Sequence, residues 1–178
     1  MKKNRRFLAI LFALGIAVST TAGCGSQNNN EPSAEVKELY EPLVEKLCDA
    51  KETADLDAFL SLFGAMRSLM ETVVTQDILD QTLNGYKESC GENPSLEYEI
   101  TETTPSSSDE IKRYQTNIEL FGETGKIQRA YDLSVKVTVN GDNGSSDYTM
   151  DLSVGEVLSS DGTNKDWIIV EFDDTLLK

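Results

Sequence analysis

The sequence contains no histidine. That excludes Ser-His-Asp and Cys-His nucleophile pairs, the commonest general base, and every histidine-bearing metal site. Basic residues are scarce as well, 16 against 31 acidic. A surface with that balance repels nucleic acid and anionic headgroups. No Gly-rich loop runs from a strand into a helix, so there is no phosphate cradle. The longest apolar run, Phe7 to Val18, spans about twelve residues, whereas a membrane-crossing helix needs ~20.

What is present begins with that run. Lys2, Lys3, Arg5 and Arg6 precede it, and Ser19-Thr20-Thr21-Ala22-Gly23-Cys24 follows it. A basic n-region, a short apolar h-region and small residues before the cut describe a secretory signal peptide. Ala22-Gly23-Cys24 resembles the lipobox of bacterial lipoproteins. The resemblance implies cleavage before Cys24 and a covalent diacylglyceryl and palmitoyl anchor on that cysteine. The chain then divides into a signal peptide (1–23), a lipidated Cys24 with a flexible tether (24–33), and a single domain (34–178). An ordinary cleaved signal would leave Cys24 at the head of a polar tail for no reason. Acyl chains contribute ~0.8 kcal/mol per buried CH2, so two or more hold a protein on a bilayer stably. The expected location is the extracytoplasmic face of the cell membrane, in a Gram-positive bacterium.

Removing the signal takes four basic residues and no acidic ones, leaving a net charge of −19. Cys48 and Cys90 remain as an even pair outside the reducing cytosol. They are read either as a disulfide or as two small buried thiols. Two thiols with no histidine make a poor zinc set. The loops at 140–147 and 159–166 carry Asp142, Asp147, Asp161 and Asp166, but neither fits a calcium frame. No metal or cofactor is expected beyond the lipid.

From Ser33 the apolar spacing is helical through Leu47, interrupted by Pro42. Either that helix is kinked, or its main part starts near Glu41 with Pro42 at its first position. Asp55 or Asp57 caps a second helix with a stripe from Leu56 to Val73, weakened by Gly64. Thr75 caps a third, which Gly91 ends. Leu96, Tyr98 and Ile100 alternate as a strand, and 103–108 reads as a polar loop. Ser107 and Glu110 have capping-box spacing before a helix that Gly122 stops. Tyr131 to Val139 alternates strictly, so one face is buried and the other wet. Tyr148 to Val154 alternates next, with a bulge expected at Gly155-Glu156. Trp167 to Phe172 closes the sheet.

Helices followed by an antiparallel sheet define an α+β domain. The order, carried by Asp55-Leu56-Asp57-Ala58-Phe59, Ala130-Tyr131-Asp132-Leu133-Ser134-Val135-Lys136-Val137 and Asp166-Trp167-Ile168-Ile169-Val170, resembles the nuclear transport factor 2-like (cystatin-like) superfamily. That implies N-terminal helices packed on a curved, cone-like antiparallel sheet of about four strands. Within it, the chain is similar to small lipoproteins of unknown function. The expected role is a non-catalytic binding or interaction domain for a small ligand or an envelope protein. Tyr131, Tyr148 and Trp167 are the candidate ligand-facing residues on the concave face, with Trp167 alternatively packed on a helix. The other reading is a small isomerase or hydrolase using a tyrosine and an aspartate inside the cone. By parity, Asp132 and Asp151 fall on the wet face.

Overall fold

The computed structural model describes residues 33–177. The expected signal peptide, Cys24 and the expected tether, up to Pro32, lie outside the described residues. The fold is α+β. Four helices, α1 (Ala34–Thr53), α2 (Leu56–Ser61), α3 (Arg67–Val73) and α4 (Gln76–Cys90), precede β1 (Ser95–Pro105). Then follow α5 (Ser108–Leu120), β2 (Lys126–Gly141), β3 (Gly144–Leu158) and β4 (Lys165–Phe172). The strands form one curved, unclosed antiparallel sheet in the order β1-β2-β3-β4.

Helix α1 is continuous through Pro42, so it starts well before the Glu41 position that proline favours. It ends at Ala54, which is left-handed (φ 50) and returns its N–H to Ala50 and Lys51 carbonyls. The expected single second helix is divided instead. Asp55 caps α2 by accepting the Ala58 N–H. Gly64 then takes a positive φ of 54, and a Cβ there would lie 3.0 Å from the Ile168 side chain. The chain makes a 3-10 turn at Gly64–Met66 before α3 begins. Leu62 O, at the C-cap of α2, accepts the Ile169 N–H at 2.8 Å, so the end of α2 meets the β4 edge of the sheet.

The strands also depart from the expected bounds. β1 continues to Pro105, through residues that read as a polar loop. The bulge expected inside β3 sits in its neighbours. Register slips past Gln128 in β2 and past Val170 in β4, while β3 runs unbroken. From Leu152 to Val157 every β3 residue is buried, because both faces are covered there. On the inner face lie α1 and α4, through contacts such as Tyr40 on Tyr131 and Tyr86 on Tyr148. On the outer face lies α5, whose Tyr114 hydroxyl reaches Asp132. Its start is a true capping box, with Ser107 and Glu110 satisfying each other's backbone.

The core fills the inner face. Leu133, Val135, Val137 and Val139 of β2 are all buried against it, as strict alternation predicts. Gly141 matters at the hairpin. A Cβ there would meet the Cys90 carbonyl oxygen at 2.3 Å, so only glycine lets the end of α4 dock on β2.

Candidate functional site

On the inner face the residues expected to line a site are packed against other aromatic side chains. Tyr131 is 9% exposed and stacks on Trp167, with ring centroids 6.1 Å apart. Tyr40 of α1 closes on both rings, at 5.8 and 5.6 Å. Trp167 therefore packs against a helix. Tyr148 belongs elsewhere: it pairs with Val137, whereas Tyr131 pairs with Val154 six positions along β3. At ~3.3 Å per residue that separation is about 20 Å. Tyr148 instead accepts a hydrogen bond from the buried Lys51 ammonium at 2.8 Å, and its hydroxyl meets Tyr86 at 2.8 Å.

Cys48 and Cys90 are both buried free thiols. They belong to different apolar clusters, Cys48 in the main core and Cys90 beside Tyr86 and Val139. The second of the two readings is thus what the structure has, with no bond between them. Burial pushes the Cys48 thiol up to about 12, which leaves it protonated and unreactive.

An open concavity lies on the opposite, outer face. Antiparallel register lines up Thr104, Asp132, Ser153 and Glu171 in one row across all four strands. The next row holds Glu102, Ser134 and Asp151. Asp173 joins it by donating its N–H to the Asp151 carbonyl at 3.3 Å. These rows floor a groove of about 520 Å³. Parity correctly placed Asp132 and Asp151 on this face.

Helix α5 organises one end of the groove by holding its carboxylates. Asp132 Oδ1 accepts from Ser153 at 2.6 Å, Ser106 at 3.0 Å and Tyr114 at 3.3 Å. The Tyr114 hydroxyl also lies 3.0 Å from Glu171 Oε2. Arg113 forks onto the Glu171 carboxylate, with Nη2 to Oε2 at 2.8 Å, and stacks over the Tyr114 ring. At the other end Ser134 donates to Asp151.

A tyrosine beside an aspartate is the pairing that proton-transfer enzymes use, but its setting here differs from the inside of a cone. Burial pushes the Tyr114 hydroxyl up to about 12, although the hydrogen bond with Ser153 opposes this. The hydrogen bonds from Arg113 hold Glu171 below the usual carboxylate range. General acids and bases work best near the operating pH, and these two groups are held away from it on opposite sides. What the groove presents is fixed acceptor oxygens. Among the described residues no group of three acidic or cysteine side chains is placed to hold a metal ion. No described helix is long and apolar enough to cross a membrane.

Tyr114, Arg113, Ser153 and Glu171 were not among the expected site residues. Tyr114 sits in the apolar stripe Ile111-Tyr114-Ile118 and reads as core. The available signal was the polar face that strict alternation gives these strands, which carries Asp132 and Ser153. The chain matches no protein-family model and no curated protein.

Proposed function

We propose that this protein is a lipid-anchored, extracytoplasmic lipoprotein whose single α+β domain binds a partner rather than catalysing a reaction, and that the outer-face groove is its binding surface. The nuclear transport factor 2-like resemblance belongs to the same reading. The observation that supports it is the contrast between the two faces of the sheet. The inner face is packed with aromatic and aliphatic side chains. The outer face aligns Glu102, Asp132, Asp151 and Glu171 around an open groove. Such a surface suits a ligand rich in N–H donors and positive charge, because charge-assisted hydrogen bonds are about twice as strong as neutral ones.

Two measurements test this. Titrating the detergent-solubilised mature protein with spermidine or trilysine, followed by amide NMR, is expected to shift Ser134, Asp151 and Ser153. Glu102→Gln/Asp151→Asn is expected to weaken that binding by roughly tenfold, about 1.4 kcal/mol. No shift with either probe makes the groove an ordinary solvated face. For the anchor, Cys24→Ala is expected to abolish acylation and release the protein from washed membranes. Retention equal to wild type, with the same detergent sensitivity, rejects lipidation at Cys24.

A further inference from the structure

The two edges of the sheet are finished differently. At β4 the C-cap of α2 lies against the edge, and the Leu62 carbonyl takes the Ile169 N–H. At β1, among the described residues, no strand pairs with the far side. The Leu96 N–H is taken by Glu52 Oε2 of α1 at 3.0 Å, so it points outward. In an antiparallel ladder the outward-facing groups recur at every second residue. The backbone groups of Tyr98 and Ile100 therefore face outward too. The register slip at Thr101 ends this stretch, and Pro105, at the end of the strand, has no N–H to offer. No residue of β1 is buried, unlike the apolar residues of β2 beside it.

The side chains flanking this edge carry one sign of charge. On the outer face Glu97, Glu99 and Glu102 are all exposed. On the inner side α1 runs alongside, with the Tyr98 hydroxyl reaching the Glu41 carbonyl at 3.5 Å. Glu41, Glu45 and Asp49 of α1, exposed and spaced by one helical turn, are the acidic groups that face Tyr98. The neighbouring cation on β2, Lys136, is held by Asp147 at 2.8 Å. An incoming strand thus meets carboxylates above and below its plane.

These features decide the occupant. A second copy of β1 would bring its own glutamates against Glu97 and Glu99, and like charges directly opposite are destabilising. Edge charges and bulges of this kind discourage self-pairing. A strand with alternating lysine or arginine meets opposite charge on both faces instead. We propose that the β1 edge is the docking site for an extended basic segment of another protein, which adds to the sheet as a fifth strand along Tyr98–Ile100. This is strand addition, in which main-chain hydrogen bonds supply affinity and side chains supply selectivity. It goes beyond the groove proposed above, to a second surface of the same domain, and names the partner's chemistry.

The test uses the mature protein in detergent and an eight-residue peptide of alternating Lys and Val, with the same peptide N-methylated at every residue as control. The control keeps the charge and loses the N–H donors. The unmodified peptide is expected to shift the Tyr98 and Ile100 amides and slow their hydrogen exchange. N-methylation and, separately, Glu97→Lys/Glu99→Lys are each expected to weaken binding by roughly tenfold or more. Equal binding of the N-methylated peptide, or no binding of either, overturns the inference. Shifts confined to Ser134, Asp151 and Ser153 overturn it too, while leaving the groove as the binding surface.

Discussion

Between pH 7 and about pH 8.5 the folded protein is expected to gain stability, because of Lys51. This side chain lies in α1 and is 1% exposed. Its ammonium donates to the Tyr148 hydroxyl and sits 4.9 Å from the centre of that ring. Burial pushes Lys51 down to about 7, with the nearby Cys48 opposing the shift slightly. In the unfolded chain a lysine keeps its proton to ~10.4. Between those values the unfolded state binds more protons, so raising the pH favours the folded state. Below pH 7 both states are protonated and this contribution is flat. At ~1.4 kcal/mol per unit the gain is about 2 kcal/mol by pH ~8.5. From there to pH ~10 the profile levels off, because the unfolded Cys48 thiol ionises while burial holds the folded one up at about 12. Above pH 10 the trend reverses. Burial holds Tyr148 up at about 12, so unfolded tyrosines ionise first and stability falls. Urea midpoints measured from pH 6 to 11 check the shape. Lys51→Met is expected to remove the rise. A flat wild-type profile from pH 7 to about 8.5, or a rise that survives in Lys51→Met, shows that burial of Lys51 is not what sets the dependence.

Sequence periodicity made the C-terminal half legible because period-2 patterning there has a single cause. Tyr131 to Val139 alternate since one side of β2 meets the core and the other meets water. Local chemistry was equally readable where it closes within a few residues, as in the Ser107 and Glu110 capping box. Tertiary contacts were not legible. Gly64 breaks the second helix because its backbone packs on Ile168, more than a hundred residues away. Residues 103–105 look like a loop but pair with β2, whose partners compensate for their weak strand propensity. The groove was hidden for a related reason. Tyr114 sits at a helix position that reads as core, and only α5 crossing to the outer face brings its hydroxyl to Asp132. The aromatic residues offered as ligand-facing are apolar and on the inner face, as alternation requires, but alternation cannot tell a packed face from an open one.

The second large effect is expected at Arg129, beneath the Trp167 cluster. Glu156 is buried, with a side chain 4% exposed, and Arg129 grips it with two hydrogen bonds of 3.0 and 3.2 Å. Register sets Arg129, Glu156 and Trp167 side by side across three strands, and the guanidinium lies 5.6 Å from the Trp167 ring. Removing one partner of a buried pair strands the other charge, which typically costs ~3–5 kcal/mol. Here the cost is smaller. The Arg129 side chain is itself 35% exposed, and Lys165 stays 3.6 Å from Glu156. Arg129→Ala is therefore expected to destabilise by about 2–3 kcal/mol, a fall in Tm of roughly 5–10 °C for a domain of this size. Trp167 fluorescence should change in the folded variant as its cationic neighbour leaves. Arg129→Met/Glu156→Met should be milder than Arg129→Ala, since replacing both charges with apolar groups leaves no buried ion to solvate. Calorimetry decides it. A loss below about 0.5 kcal/mol for Arg129→Ala would place the pair with ordinary surface ion pairs. A double variant worse than the single would mean that packing around Trp167, and not the stranded carboxylate, carries the energy.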